Sequence, residues 1–191
     1  MNSQLVSRES FLDSERGDPC LDTPSVRVLL VDDFEPFRSL VSMMLRSTRS
    51  FEIIGEAADG LSAVQRAEEL RPDLVLLDMD LPGIHGIEVA RHVRRVSPSS
   101  KILFVSAGMF PDQAQAALDT GASGYVVKFE VARELLTAIE TVLKGKQFVS
   151  DTLARLDLEG KFSEQRLPWP ADLEWCRARA KPLFSDRSCR K

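Results

Sequence analysis

Cysteine is scarce in these 191 residues: Cys20, Cys176 and Cys189 lie far apart, and none belongs to a CxxC or Cys/His cluster. A disulfide scaffold and a thiolate zinc site are therefore excluded as organising principles. Histidine is scarcer still. His85 and His92 read as exposed loop or helix residues rather than ligands or general bases. No apolar stretch approaches the ~18 residues that a membrane helix requires. Residues 1–18 are polar and lack the hydrophobic segment of a secretion signal, so no membrane partner is expected and the cytoplasm is the expected compartment. There is no excess of positive charge either. Twenty-five basic residues face 29 acidic ones, a net charge of −4, which gives nucleic acid no footprint over the chain as a whole.

What is present is ordinary globular material, 43% hydrophobic and 28% charged, in a length suited to one domain with appendages or two small ones. Residues 1–25 are polar and aperiodic and read as a flexible N-terminal arm. From Val26 onward, short runs rich in Val, Ile and Leu alternate with helix-length amphipathic segments. The runs are VRVLLVDD (26–33), FEIIGEA (51–57), DLVLLDMD (73–80), KILFVSA (101–107) and SGYVV (123–127), each short and bounded by charge, Gly or Pro, as buried parallel strands are. Helices are predicted at about 35–47, 59–70, 86–96, 111–120 and 130–144. Leu61, Val64, Ala67, Glu68 and Leu70 form the expected stripe of the second, and Leu135, Leu136, Ile139, Val142 and Leu143 that of the fifth. Pro111 opens the fourth helix and Gly121 closes it. Five strand–helix repeats joined by right-handed crossovers define an α/β, doubly wound parallel sheet.

In such a sheet, ligands bind beyond the carboxyl ends of the strands, where strand order reverses. Those ends carry Asp32 and Asp33 after the first strand, Asp78 and Asp80 after the third, Ser106 after the fourth and Lys128 after the fifth. One strand-end Asp is usually a turn former or helix cap, and turn chemistry seldom assembles the whole set. Carboxylates crowded on one rim repel unless a cation joins them. All-oxygen donors suit a hard divalent ion, Mg²⁺ rather than zinc. Lys128 adds a point charge able to meet a phosphoryl oxygen, and Ser106 adds a neutral donor. A carboxylate nucleophile, Mg²⁺ and an ammonium around one pocket are the parts of phosphoryl transfer.

The segments LLVDDFEPFR, LVLLDMDLPGIHG, ILFVSAG and GASGYVVK resemble, in order and spacing, the motifs of the response-regulator receiver domain of two-component signalling, over about Val26 to Lys144. The resemblance implies a flavodoxin-like (βα)5 fold with sheet order 2-1-3-4-5. It implies Asp78 as phosphoacceptor and Mg²⁺ held by Asp33 and Asp78 side chains and the Asp80 main-chain carbonyl, with Asp32 acting through water. Ser106 and Lys128 would each meet a phosphoryl oxygen, and Ser106 and Tyr125 would form the switch. The implied partners are a sensor histidine kinase or phosphotransfer protein and a downstream protein target, with homodimerisation resting on family likeness alone. Two departures stand out. Phe129 follows the lysine where many members carry a cis proline, so a trans bond is expected. Gly108 is expected to leave the path of a hydrolytic water open.

Residues 145–156 (GKQFVSDTLARL) look like the linker that leads, in receivers of LuxR/FixJ-type regulators, to a helix-turn-helix output domain. The receiver is accordingly assigned to 26–150. Residues 151–191 form a C-terminal tail without a recognisable output domain, with a short helix expected at about 171–180 near Trp169, Leu173 and Trp175. The span 175–191 carries six basic residues against one acid and reads as a solvated tail. Two alternatives follow from these features. One is a DNA-binding regulator with a degenerate or truncated output region. The other is a phosphatase of the haloacid-dehalogenase type, which shares a DxD, a hydroxyl and a lysine but places its DxD after the first strand.

Overall fold

The computed structural model describes residues 25–158, with side chains to residue 156. The arm before residue 25, the basic run and the helix expected at 171–180 lie outside the described residues. Element order is β1 (Val26–Val31), α1 (Glu35–Arg46), β2 (Phe51–Ala57), α2 (Gly60–Leu70), β3 (Leu74–Leu77), α3 (Gly86–Val96), β4 (Lys101–Ser106), α4 (Pro111–Asp119), β5 (Gly124–Val127), α5 (Val131–Leu143), β6 (Phe148–Val149) and α6 (Asp151–Leu158). A 3-10 turn, Lys128–Glu130, joins β5 to α5. All strand pairs are parallel and the order is β2-β1-β3-β4-β5-β6. The predicted 2-1-3-4-5 sheet is thus present, extended by a sixth strand.

The central strands read as continuous apolar runs because both faces are covered. Along β1, Leu29 and Val31 enter one core with Ala63, Ala67, Val89, Val93 and Ala117 of α2, α3 and α4. Val28 and Leu30 enter the other with Val41 and Leu45 of α1 and Leu135, Ile139 and Val142 of α5. The period of two sorts one strand between two layers.

The α2 stripe differs from its expected line. Ala63 and Ala67 are buried, whereas Leu61 is 45% exposed. Small residues win because α2 packs closely on α3: a Cβ added at Gly60 would stand 2.7 Å from Val89 Cγ2. Asp59 caps α2 by accepting from the Ser62 amide, and this bond, with one from the Ser62 hydroxyl, lowers its pKa. Gly121, at φ +85°, follows the α4 C-cap in the left-handed region.

β6 and α6 carry too little pattern to read from sequence. Two residues cannot establish alternation, and an eight-residue helix barely completes two turns. They are nevertheless docked. Ser150 donates its amide to the Tyr125 carbonyl (3.0 Å), and its hydroxyl accepts from the Val127 amide (3.0 Å). Leu153 of α6 is 2% exposed and joins the α2–α3–α4 core. The boundary drawn at residue 150 therefore falls between two elements that both pack on the sheet. No helix among the described residues is long and apolar enough to cross a membrane.

Candidate functional site

Strand order reverses between β1 and β3, since β1 lies between β2 and β3. The carboxyl ends of these two strands deliver Asp32, Asp33 and Asp78 to one place. One carboxylate oxygen from each lies within 4.8 Å of the others. Asp32 and Asp78 are buried and Asp33 is exposed, so the trio opens to solvent on one side. Asp80 is exposed as well, and its carboxylate stands outside the trio.

Lys128 reaches across from the end of β5. Its Nζ lies 2.7 Å from Asp32 Oδ2 and 2.9 Å from Asp78 Oδ2. The second oxygen of each acid is also engaged: Asp32 Oδ1 accepts from the Phe34 amide (2.9 Å) and Asp78 Oδ1 from the Met79 amide (2.7 Å). Burial raises the Asp78 pKa above the ordinary 3.8; Lys128 offsets part of the rise, and the Asp32 charge adds to it. Burial alone would lower the Lys128 pKa, but the hydrogen bonds and charges of Asp32 and Asp78 outweigh it and hold the ammonium above its usual 10.5. The lysine is a firmly charged bridge between two acids, one of them held back from ionising.

The loop that carries Asp78 to Asp80 is fixed by Gly86, which begins α3. Its amide donates to the Met79 carbonyl (2.9 Å), and an added Cβ would stand 2.8 Å from Met79 Cα while colliding with the Asp78 carbonyl. His92 is exposed, as read from sequence, whereas His85 is half-buried and caps the same helix through its ring nitrogen. The Lys128–Phe129 peptide is trans, as a non-proline residue dictates.

Ser106 is fully buried and its hydroxyl accepts from the Gly108 amide (3.1 Å). Tyr125 is fully buried and donates to the Gly108 carbonyl (3.0 Å). Burial raises the phenol above its usual pKa. Gly108 does not leave open space above itself: a Cβ there would collide with Gln113 Oε1 of α4. Because Oε1 is the far end of a flexible side chain, Gln113 can swing aside, so its position over Gly108 does not by itself require glycine there.

Sequence reasoning missed Arg38 and Phe37, both in the opening of α1. Arg38 donates to the Asp32 carbonyl (2.8 Å) and pairs with Glu56 (3.2 Å), fixing the end of β1. A signal existed, because a basic residue this near a helix N-terminus runs against the macrodipole and calls for a local acceptor. Phe37 places its ring under Lys128, with Nζ 4.8 Å from the centroid; no spacing rule reports that contact.

A doubly wound parallel domain with an acidic trio and a lysine gathered at its strand ends has its candidate ligand site where strand order reverses, and the comparisons give its family. The model of the response regulator receiver domain matches residues 28–140. Response regulator GacA of Pseudomonas viridiflava is 32% identical over 148 residues, 78% of this chain and 69% of that protein. Transcriptional regulatory protein LiaR of Bacillus subtilis is 33% identical over 129 residues, 68% of this chain and 61% of that protein. Among solved structures, a LuxR-family two-component response regulator from Aurantimonas sp. SI85-9A1 superposes with a TM-score of 0.68 at 34% identity, covering 71% of this chain and 96% of that one. The response regulator domain of Thermotoga maritima CheB gives 0.59 at 28% identity, covering 63% and 97%. The chain belongs to the response-regulator receiver family of two-component signalling.

Proposed function

We propose that this receiver takes a phosphoryl group on Asp78 from a sensor histidine kinase or phosphotransfer protein, and that the resulting change of packing controls a downstream protein by contact. One observation carries this reading: three aspartates converge at the switch point, and Lys128 bridges Asp32 and Asp78. Only hard oxygen donors are offered and Asp33 leaves the trio open to water, a donor set that fits Mg²⁺. Asp32, Asp33 and Asp78 would hold the ion through side chains, Asp32 directly or through water, and Asp80 through its main-chain carbonyl. When bound, it supplies neutralisation of charge on the phosphoryl oxygens.

The remaining work belongs to the chain. An Asp78 oxygen attacks the phosphorus in line; the new O–P bond forms as the P–N bond of a phosphohistidine, or the P–O bond of an acyl phosphate, breaks, and the departing group keeps the electron pair. Lys128 already sits 2.9 Å from Asp78 Oδ2 and meets one phosphoryl oxygen, while the Ser106 hydroxyl meets another. Drawing Ser106 inward breaks its bond from the Gly108 amide, and the Tyr125 hydroxyl holds the carbonyl of that same residue. The loop 106–109 and the ring therefore move as one unit, a shift between two packings of the α4–β5 region. The module is a phosphoacceptor switch with at most self-catalysed gain and loss of its phosphoryl group.

The test is incubation of the chain with acetyl phosphate and Mg²⁺, followed by intact mass. One phosphate is expected in the parent and none in Asp78→Asn. Equal labelling of both would sink the assignment.

A further inference from the structure

Lys128 has a third neighbour that the phosphoryl-transfer scheme does not use. The Phe37 ring lies beneath the ammonium, 4.8 Å from Nζ to centroid, inside the range in which a cation is attracted by the ring quadrupole. The ring is half-buried and packs against the core of α1 and α5 residues that includes Val41, Leu45, Val131 and Leu135, so its face is fixed before any ligand arrives. The lysine side chain is only 20% exposed, which limits the water that would otherwise screen the contact. Phe129, the aromatic beside the lysine in sequence, is 62% exposed.

The three contacts of the ammonium differ in what the reaction does to them. Asp78 ceases to be a free carboxylate once one of its oxygens bears the phosphoryl group. Asp32 is shared with any cation that enters the trio. The ring is neither consumed nor shared. We propose that Phe37 is a positioning residue for phosphoryl transfer, its π face keeping the Lys128 charge over the pocket while the carboxylates that hold it at rest are being used. This rests on the roles proposed above for Asp78 and Lys128.

The test is a series at position 37 in the full chain. Phe37→Leu and Phe37→Met keep an apolar side chain and lose the π face; the rate of labelling by acetyl phosphate is expected to fall roughly fivefold. Phe37→Trp restores it to within about twofold, since indole is the stronger cation partner. Stepwise fluorinated phenylalanines preserve ring shape while draining the quadrupole, and the rate should fall with each fluorine. A readout independent of activity is the Lys128 ammonium proton resonance, displaced upfield by the ring current in the parent and relaxing toward the free-lysine position in Phe37→Leu. A flat fluorine series, whether Leu and Met are slow or as fast as the parent, overturns the inference and leaves Phe37 as packing. Asp78→Asn runs in the same assay: labelling of that variant defeats the phosphoacceptor assignment, whereas an unlabelled Asp78→Asn with a flat series defeats this inference alone.

Discussion

Two pairs of buried carboxylates in this domain are each bridged by one cation, and only one pair makes a site. At the switch point, Lys128 joins Asp32 and Asp78. At the start of α5, Arg133 joins Glu130 (2.9 Å) and Glu134 (2.8 Å), and Thr152 of α6 donates to Glu130 Oε1 (2.7 Å). The first pair has all four oxygens engaged and a third, exposed acid beside it. In the second, Glu130 Oε2 and Glu134 Oε2 are buried without a hydrogen-bond partner among the described residues, and the bridging arginine is 64% exposed. Charge pairing therefore does not mark function. What separates the two is the third carboxylate, which leaves the aspartate site one cation short when fully ionised, and its place at strand ends where order reverses. The glutamate pair lies along one turn of chain and ties α5 to α6.

The comparison breaks most directly if the two cations are exchanged for methionine. Lys128→Met leaves two buried aspartates facing each other and should cost about 3 kcal/mol at pH 7 in metal-free buffer, with phosphoryl uptake lost. Mg²⁺ should recover much of that stability. Arg133→Met should destabilise less, because the guanidinium is largely in water, and Mg²⁺ should not help. Urea titrations with and without the metal distinguish the two; equal rescue of both variants would mean that the third acid is not what sets the sites apart. Next in size is ligand linkage. At about a hundred times its dissociation constant, Mg²⁺ should stabilise the parent by about 2.7 kcal/mol. Thermal melts should show that gain sharply reduced in Asp33→Asn and unchanged in Glu130→Gln.

The difference between these regions was only half legible in the sequence. Asp32, Asp33, Asp78, Ser106 and Lys128 announce themselves because a parallel sheet puts all its strand ends on one rim, so topology alone converts positions 32, 78 and 128 into neighbours. Glu130 and Glu134 give no such notice: a charge on an amphipathic helix reads as solvated, yet both are buried, and the hydroxyl that meets Glu130 comes from Thr152 of α6, an element whose few residues have no usable period. Phe37 and Gln113 escaped for a related reason. Each acts through the placement of a side chain across an interface, under Lys128 in one case and over Gly108 in the other, and periodicity reports which face a residue occupies but not what it meets there.

A smaller effect sharpens the contrast through pH. The folded-state pKa of Asp78 lies above 3.8 because burial favours the neutral acid. Its contribution to stability is therefore full below that pH and disappears as pH rises through the folded-state value. Lys128, raised above 10.5, runs at the other end: its contribution is full below that value and lost as pH climbs through the folded pKa. Asp78→Asn should thus melt a few degrees above the parent at pH 7 without metal, and the two should converge near pH 3. A parent that melts higher at pH 7 would contradict the sign.

The smallest expected change concerns the glutamates. Glu134→Gln keeps the side chain's length while replacing one of two orphaned oxygens by an amide donor, beside a carboxylate that lacks a partner for Oε2. A buried acceptor left unsatisfied is more expensive than a hydrogen bond is rewarding, so the substitution should stabilise the fold by about 1 kcal/mol in urea titrations. Phosphoryl uptake should not change, because the acids that would do that chemistry are Asp32, Asp33 and Asp78. The same exchange at the other pair, Asp78→Asn, also gains stability but removes the acceptor. Relieving a buried charge thus helps the fold at both places, and only at the switch point does the relief abolish a reaction; if Glu134→Gln slowed phosphoryl uptake, the glutamate pair would belong to the site and the contrast would fail.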